Sequence, residues 1–137
     1  MDIAKTPVKN KQEATTIFNT ISGAIDRKAF AQAQGMLGEF KQRTKLVSDK
    51  KVKRASESYI QYLDDTIFLK TMNLSSDPAT LHDKAIALMG RENGRGRAFV
   101  IIEHLENIQK TRPNDQYLAL MIGRLWDEYN GDTQAGE

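Results

Sequence analysis

Apolar residues recur at spacings of three and four along most of the chain, with polar residues between them, and that period gathers the apolar set on one side of a helix. Ala14, Ile17, Phe18, Ile21, Ala24 and Ile25 predict a first helix over 12–25. Phe30, Ala33, Met36, Leu37 and Phe40 predict a second over 27–45, with Asp26 as its cap and Gly35 and Gly38 leaving room for a neighbouring backbone. A third, over 49–72, has Val52, Ala55, Tyr59, Tyr62, Leu63 and Leu69 on its apolar side and Ser48 at the capping position. Asp77-Pro78 then starts a fourth, 78–89, because the carboxylate accepts from free backbone N–H groups and proline gives up none that would be bonded. Leu81, Ala85, Leu88 and Met89 share its face, and a left-handed Gly90 is expected to end it. Ala98, Ile101, Ile102, Leu105 and Ile108 mark a fifth over 97–111, stopped by Pro113. Leu118, Met121, Ile122, Leu125, Trp126 and Tyr129 mark a sixth over 116–130, ending at Gly131. Phe99-Val100-Ile101-Ile102 has strand-like composition, but the helical period runs on through Ile108 and favours helix. The expected fold is all-α, about six helices in antiparallel hairpins. It forms one domain over 12–132 between flexible tails at 1–11 and 133–137.

Composition narrows the class. A chain of 137 residues, 39% hydrophobic and 28% charged, suits one globular domain with a core of its own. No apolar run approaches the roughly 18 residues of a membrane span, and MDIAKTPVKNK has no apolar stretch of the signal-peptide kind. The absence of cysteine excludes disulfides, thiolate metal ligands and a cysteine nucleophile. A cytoplasmic location is expected. The net charge of +2 conceals an uneven distribution: residues 1 to 54 hold 12 Lys/Arg against 5 Asp/Glu, and residues 55 to 137 hold 8 against 13.

Part of the second half resembles a known family. Pro113-Asn114-Asp115, followed by Gly123, Trp126 and Gly131-Asp132, is similar to the junction between two tetratricopeptide repeats. In that family a helical pair of about 34 residues recurs, with a proline closing the second helix and a glycine at the turn. Counting back from Pro113, Gly96 falls at the turn, Ala85 and Leu88 on the first helix, and Ile101, Leu105 and Ile108 on the second. Met89 stands where the family has a small residue, Glu92 where it has an aromatic, and Gly131 one residue late. The resemblance covers residues 78–132, and it implies a helical surface that holds another polypeptide. A repeat cut short after Asp132 leaves one apolar face to be covered by the N-terminal helices, a second copy or a partner.

Candidate chemistry is sparse. Lys41, Arg43, Lys45, Lys50, Lys51, Lys53 and Arg54 either neutralise nucleic-acid phosphates or form the solvated ends of two helices. No aromatic is interleaved with them to stack on bases. The glycine-rich stretch Arg91–Arg97 has cations ahead of a helix N-terminus but lacks the Gly-Lys-Ser/Thr ending of a phosphate-binding loop, so it reads as a connection from which Arg95 and Arg97 reach a partner. His82 and His104 lie on different helices without cysteines to complete a metal site, and no metal or cofactor is expected. Asp64-Asp65 point apart, Glu103 and Glu106 form a surface pair, and no serine sits in an elbow motif. Tyr117, Met121, Trp126 and Tyr129 serve either core packing or a groove for a partner segment. The reading is a non-enzymatic adaptor, secretion-type chaperone or regulator that binds another protein or a second copy of itself, with nucleic-acid binding through 41–54 as the alternative.

Overall fold

The computed structural model describes residues 5–135, with side chains through Gly131. It has six helices: α1 (Lys11–Asp26), α2 (Phe30–Lys45), α3 (Lys50–Thr71), α4 (Pro78–Met89), α5 (Arg95–Thr111) and α6 (Gln116–Ala135). The fold is all-α with bundle-like packing, and the described residues contain no strand. None of these helices is long and apolar enough to cross a membrane. The chain divides into two compact units, Met1–Lys70 and Thr71–Glu137.

In the first unit, Ala14, Ile21, Ala24 and Ile25 of α1 pack with Ala33, Leu37 and Phe40 of α2 and with Val52, Leu63 and Ile67 of α3. The buried stripe of α3 runs Val52, Ser56, Leu63, Ile67; Tyr59 of the expected apolar side packs against this core and stacks on Phe18, while Tyr62 is exposed and edges onto the same ring. Asp65 points apart from Asp64 and is buried. Of the expected tail 1–11, residues 1 to 4 lie outside the described residues. The part that follows is docked: Val8 is in the core, and the Thr6 carbonyl accepts from Arg43 Nε at 2.9 Å.

Caps account for most boundary differences. Asn10 caps α1 by accepting from Glu13 N–H at 2.8 Å, while Glu13 Oε1 reaches back to Lys9 N–H at 2.9 Å. This exchange is a close relative of the capping box. α1 continues to Asp26 and ends in a Schellman motif, with Lys28 N–H on the Ile25 carbonyl and Ala29 N–H on the Ala24 carbonyl, both 2.9 Å. Lys28 therefore takes φ 63°, and α2 starts three residues later than expected, without an Asp26 cap. Asp49, not Ser48, caps α3, accepting from Lys51 N–H at 2.9 Å and Val52 N–H at 3.2 Å.

In the second unit α4, α5 and α6 each pack on the other two. Leu81, Ala85 and Leu88 of α4, Ala98, Ile101, Ile102, Leu105 and Ile108 of α5, and Leu118, Met121, Ile122 and Leu125 of α6 are buried, as their spacing predicts. Asp77 caps α4 through Thr80, accepting its hydroxyl at 2.8 Å, and that hydrogen bond holds the carboxyl below its usual range. Gly90 is not left-handed: its φ is −81°, and Asn93 takes the positive φ of 63°. Gly94 is the indispensable glycine of this turn, because a Cβ there would overlap the Leu88 carbonyl. Gly96 lies within the first turn of α5 with open space around it. α6 passes through Gly131 to Ala135, so the boundary expected at Gly131 and part of the expected tail 133–137 are helical, while 136 and 137 lie outside the described residues.

Candidate functional site

The basic segment separates into two groups by what each cation meets. Lys41 Nζ lies 3.0 Å from Asp64, and Arg43 Nη2 lies 2.7 Å from Glu13. Arg43 is buried with a second bond to Thr6, so it cannot belong to a nucleic-acid-facing set; its charge holds α1, α2 and the preceding segment together. Lys45 sits in the last turn of α2, where a cation complements the helix dipole. Lys50, Lys51, Lys53 and Arg54 are exposed on the first two turns of α3. No ion pair engages these four among the described residues.

Two open hollows run along this end of α3. One, of about 490 Å³, is lined by Lys11, Lys50, Lys51, Arg54, Ala55 and Ser58. The other, of about 400 Å³, is lined by Lys50, Lys53, Arg54, Glu57, Ser58 and Gln61. Lys50, Arg54 and Ser58 are common to both, so the two form one surface. Lys11 was missed from sequence because it lies about forty positions away on α1.

In the second unit the expected partner-binding residues have different fates. Met121 is buried in the unit's own core and is no contact residue. Trp126 and Tyr129 close on Phe99 with ring centroids 5.7 and 5.8 Å away, and on each other at 5.6 Å, a largely edge-on cluster between α5 and α6. Trp126 Nε1 points at Glu106 Oε2 from 3.3 Å. Arg95 is not on a loop: it is the first residue of α5, stacks 4.0 Å over the Tyr129 ring and donates to the Tyr129 carbonyl at 2.9 Å. Arg97 is likewise on α5 and half-buried. Phe99, the hub of this cluster, enters the sequence reading only as part of a strand-like run, because it falls beside the aliphatic stripe.

Tyr117 and Leu120, by contrast, are 65% and 52% exposed and lie one turn apart on the outer side of α6. One further turn along is Gly123, exposed and with open space where a Cβ would stand. Arg124, Asp127 and Glu128 follow on the same outer side.

Histidines and carboxylates do not converge. His104 Nε2 is 2.9 Å from the Asn73 carbonyl, and His82 Nδ1 is 3.2 Å from Asp83. Among the described residues no three His, Asp or Glu side chains form a metal-holding group. A narrow hollow of about 210 Å³ between α1 and α2 is lined chiefly by Ile17, Ile21, Met36 and Phe40, with Glu39 and Arg43 at its polar side. Thr44 Oγ1 and Ser56 Oγ are buried in the first unit with no hydrogen-bond partner among the described residues. Comparison with known protein families, with curated proteins and with solved structures finds nothing that matches this chain.

Proposed function

We propose that the chain is a non-enzymatic interaction module of the cytoplasm, serving as an adaptor, chaperone or regulator that holds a helix of another polypeptide on the outer face of α6. The observation that carries this reading is the pair Tyr117 and Leu120, more than half exposed and adjacent on one helix face. Gly123 supports it. Glycine inside a helix costs about 1 kcal/mol relative to alanine, and among the described residues nothing approaches this one closely enough to need it. A flat strip of apolar and small residues is what lets a second helix lie close, reading out anchors one turn apart. The mutual packing of α4, α5 and α6 also suits the stacked helices of a tetratricopeptide-like repeat, whose faces hold peptides. Asp127 and Glu128 at the edge of the strip favour a partner helix with basic flanks.

The test is a photo-cross-linking amino acid placed at Leu120 in the native cell, with the same group at the exposed Asn107 of α5 as control. A discrete adduct from position 120 that is lost on Tyr117→Asp, with none from 107, is the expected result. No adduct at 120, or equal labelling at both positions, overturns the reading.

A further inference from the structure

The cations at the start of α3 are in the wrong place to serve the helix. The N-terminus of a helix carries about half a positive charge, so each Lys or Arg near it is repelled, and apart from the capping Asp49, which accepts from Lys51 and Val52 N–H, the first turn of α3 contains no acid to offset this. Yet Lys50, Lys51, Lys53 and Arg54 crowd the first five positions, and Lys11 from α1 joins their hollow. None of the five forms an ion pair among the described residues, although Lys41 and Arg43 of the same basic segment do. Five exposed cations, against the capping Asp49 and Glu57, the one acid lining the two hollows, make a local positive potential. Such a surface lowers its energy when a polyanion lies across it.

We propose that this surface, formed by Lys11, Lys50, Lys51, Lys53 and Arg54, binds the phosphate backbone of double-stranded nucleic acid. Its other lining groups, Ser58 and Gln61, belong with Lys and Arg to the side chains that contact phosphate oxygens. Lys50 and Arg54 are one helical turn apart, about 6 Å along the axis, so they meet successive charges of an extended polyanion and not a single small anion. The hollows are open, without the enclosing walls a free phosphate or nucleotide would need. No aromatic lines them, which removes base stacking and leaves backbone contact that is indifferent to sequence. The one apolar side chain is Ala55, too small to anchor in a lipid bilayer or to act as a hot spot for an acidic protein. This surface shares no residue with the α6 strip, and neither reading depends on the other.

Fluorescence anisotropy of the full chain with a labelled mixed-sequence DNA duplex of about 20 base pairs tests it. Binding should weaken as salt rises, with a log–log slope of about −4 if most of the five cations neutralise a phosphate each. The combined variant Lys50→Gln, Lys53→Gln, Arg54→Gln should bind at least about tenfold more weakly at about 50 mM salt, with a slope shallower by about 2 to 3. Lys50→Arg with Lys53→Arg should restore the wild-type slope, and Lys110→Gln on α5 should leave binding unchanged. Because the altered side chains are exposed, the far-ultraviolet circular dichroism of the variants should match that of the wild type. No wild-type binding at about 50 mM salt, equal binding by the triple variant, or binding to anionic phosphatidylserine vesicles with none to the duplex would each overturn the proposal.

Discussion

Arg43 Nη2 meets Glu13 Oε1 at 2.7 Å across the first unit, from a guanidinium side chain only 8% exposed. The same carboxylate oxygen accepts the Lys9 N–H, and the same guanidinium donates to the Thr6 carbonyl, so one ion pair ties the start of α1, the end of α2 and the segment before them. Breaking a buried pair from one side leaves an uncompensated charge. Arg43→Ala should therefore destabilise the chain by about 3 kcal/mol, and Glu13→Ala by somewhat less because Glu13 is the more exposed partner. The double variant should fall short of the two losses added together by at least about 1 kcal/mol, measured by urea denaturation; strict additivity would show that the pair contributes no coupling.

Lys28 occupies the left-handed region at φ 63°, closing the Schellman motif after α1. A side chain with a Cβ is strained there by about 1–2 kcal/mol, and glycine is not. Lys28→Gly should raise stability by about 0.5–1 kcal/mol once the greater freedom of glycine in the unfolded chain is subtracted. A fall in the thermal midpoint would contradict this.

Gly94 presents the opposite case. Its φ is negative, so its backbone conformation suits any residue, but the Leu88 carbonyl carbon would lie 2.9 Å from a Cβ. Gly94→Ala must push the α4–α5 turn apart and should destabilise by about 2–3 kcal/mol. Gly35→Ala and Gly38→Ala, in open space on α2, should instead stabilise by a few tenths to about 1 kcal/mol.

Asp77 ties the second unit to pH. The Thr80 hydroxyl bonded to its carboxylate lowers its pKa from the ordinary 3.8. A group whose folded pKa is depressed contributes stability above its unfolded pKa, and that contribution disappears as pH falls through the folded value. The stability difference between the wild type and Asp77→Asn should thus be constant from neutral pH down to about 5 and shrink below about 4. Carboxyl-carbon NMR should show Asp77 titrating below the ordinary aspartate value of 3.8.

These residues show where sequence reasoning reached and where it stopped. Periodicity and caps lie within one segment, which is why α4 was legible end to end from Asp77-Pro78 to Met89. A glycine's purpose depends on what approaches it in space: Gly35 and Gly38 looked like close-approach sites and face open space, while Gly94 passed as part of a flexible connection. Arg43 read as a surface cation because its partner is thirty residues away, and Lys11 went unnoticed beside the basic run for the same reason. Of the two tyrosines placed on the buried side of α3, Tyr59 packs against the core and Tyr62 is exposed, since a ring with a polar tip tolerates partial exposure, while the polar Ser56 sits unannounced in the buried stripe. Tyr117 could be named from sequence, but only accessibility separates it from Met121, four residues further along α6.

Trp126 is the only tryptophan, and it is wedged against Phe99 and Tyr129 within the second unit. Nature has thereby placed an optical reporter in one half of the molecule, since indole emission excited at its red edge comes from α4–α6 while helical ellipticity comes from all six helices. Melting curves followed by the two signals superimpose if the halves unfold together and part company if they do not.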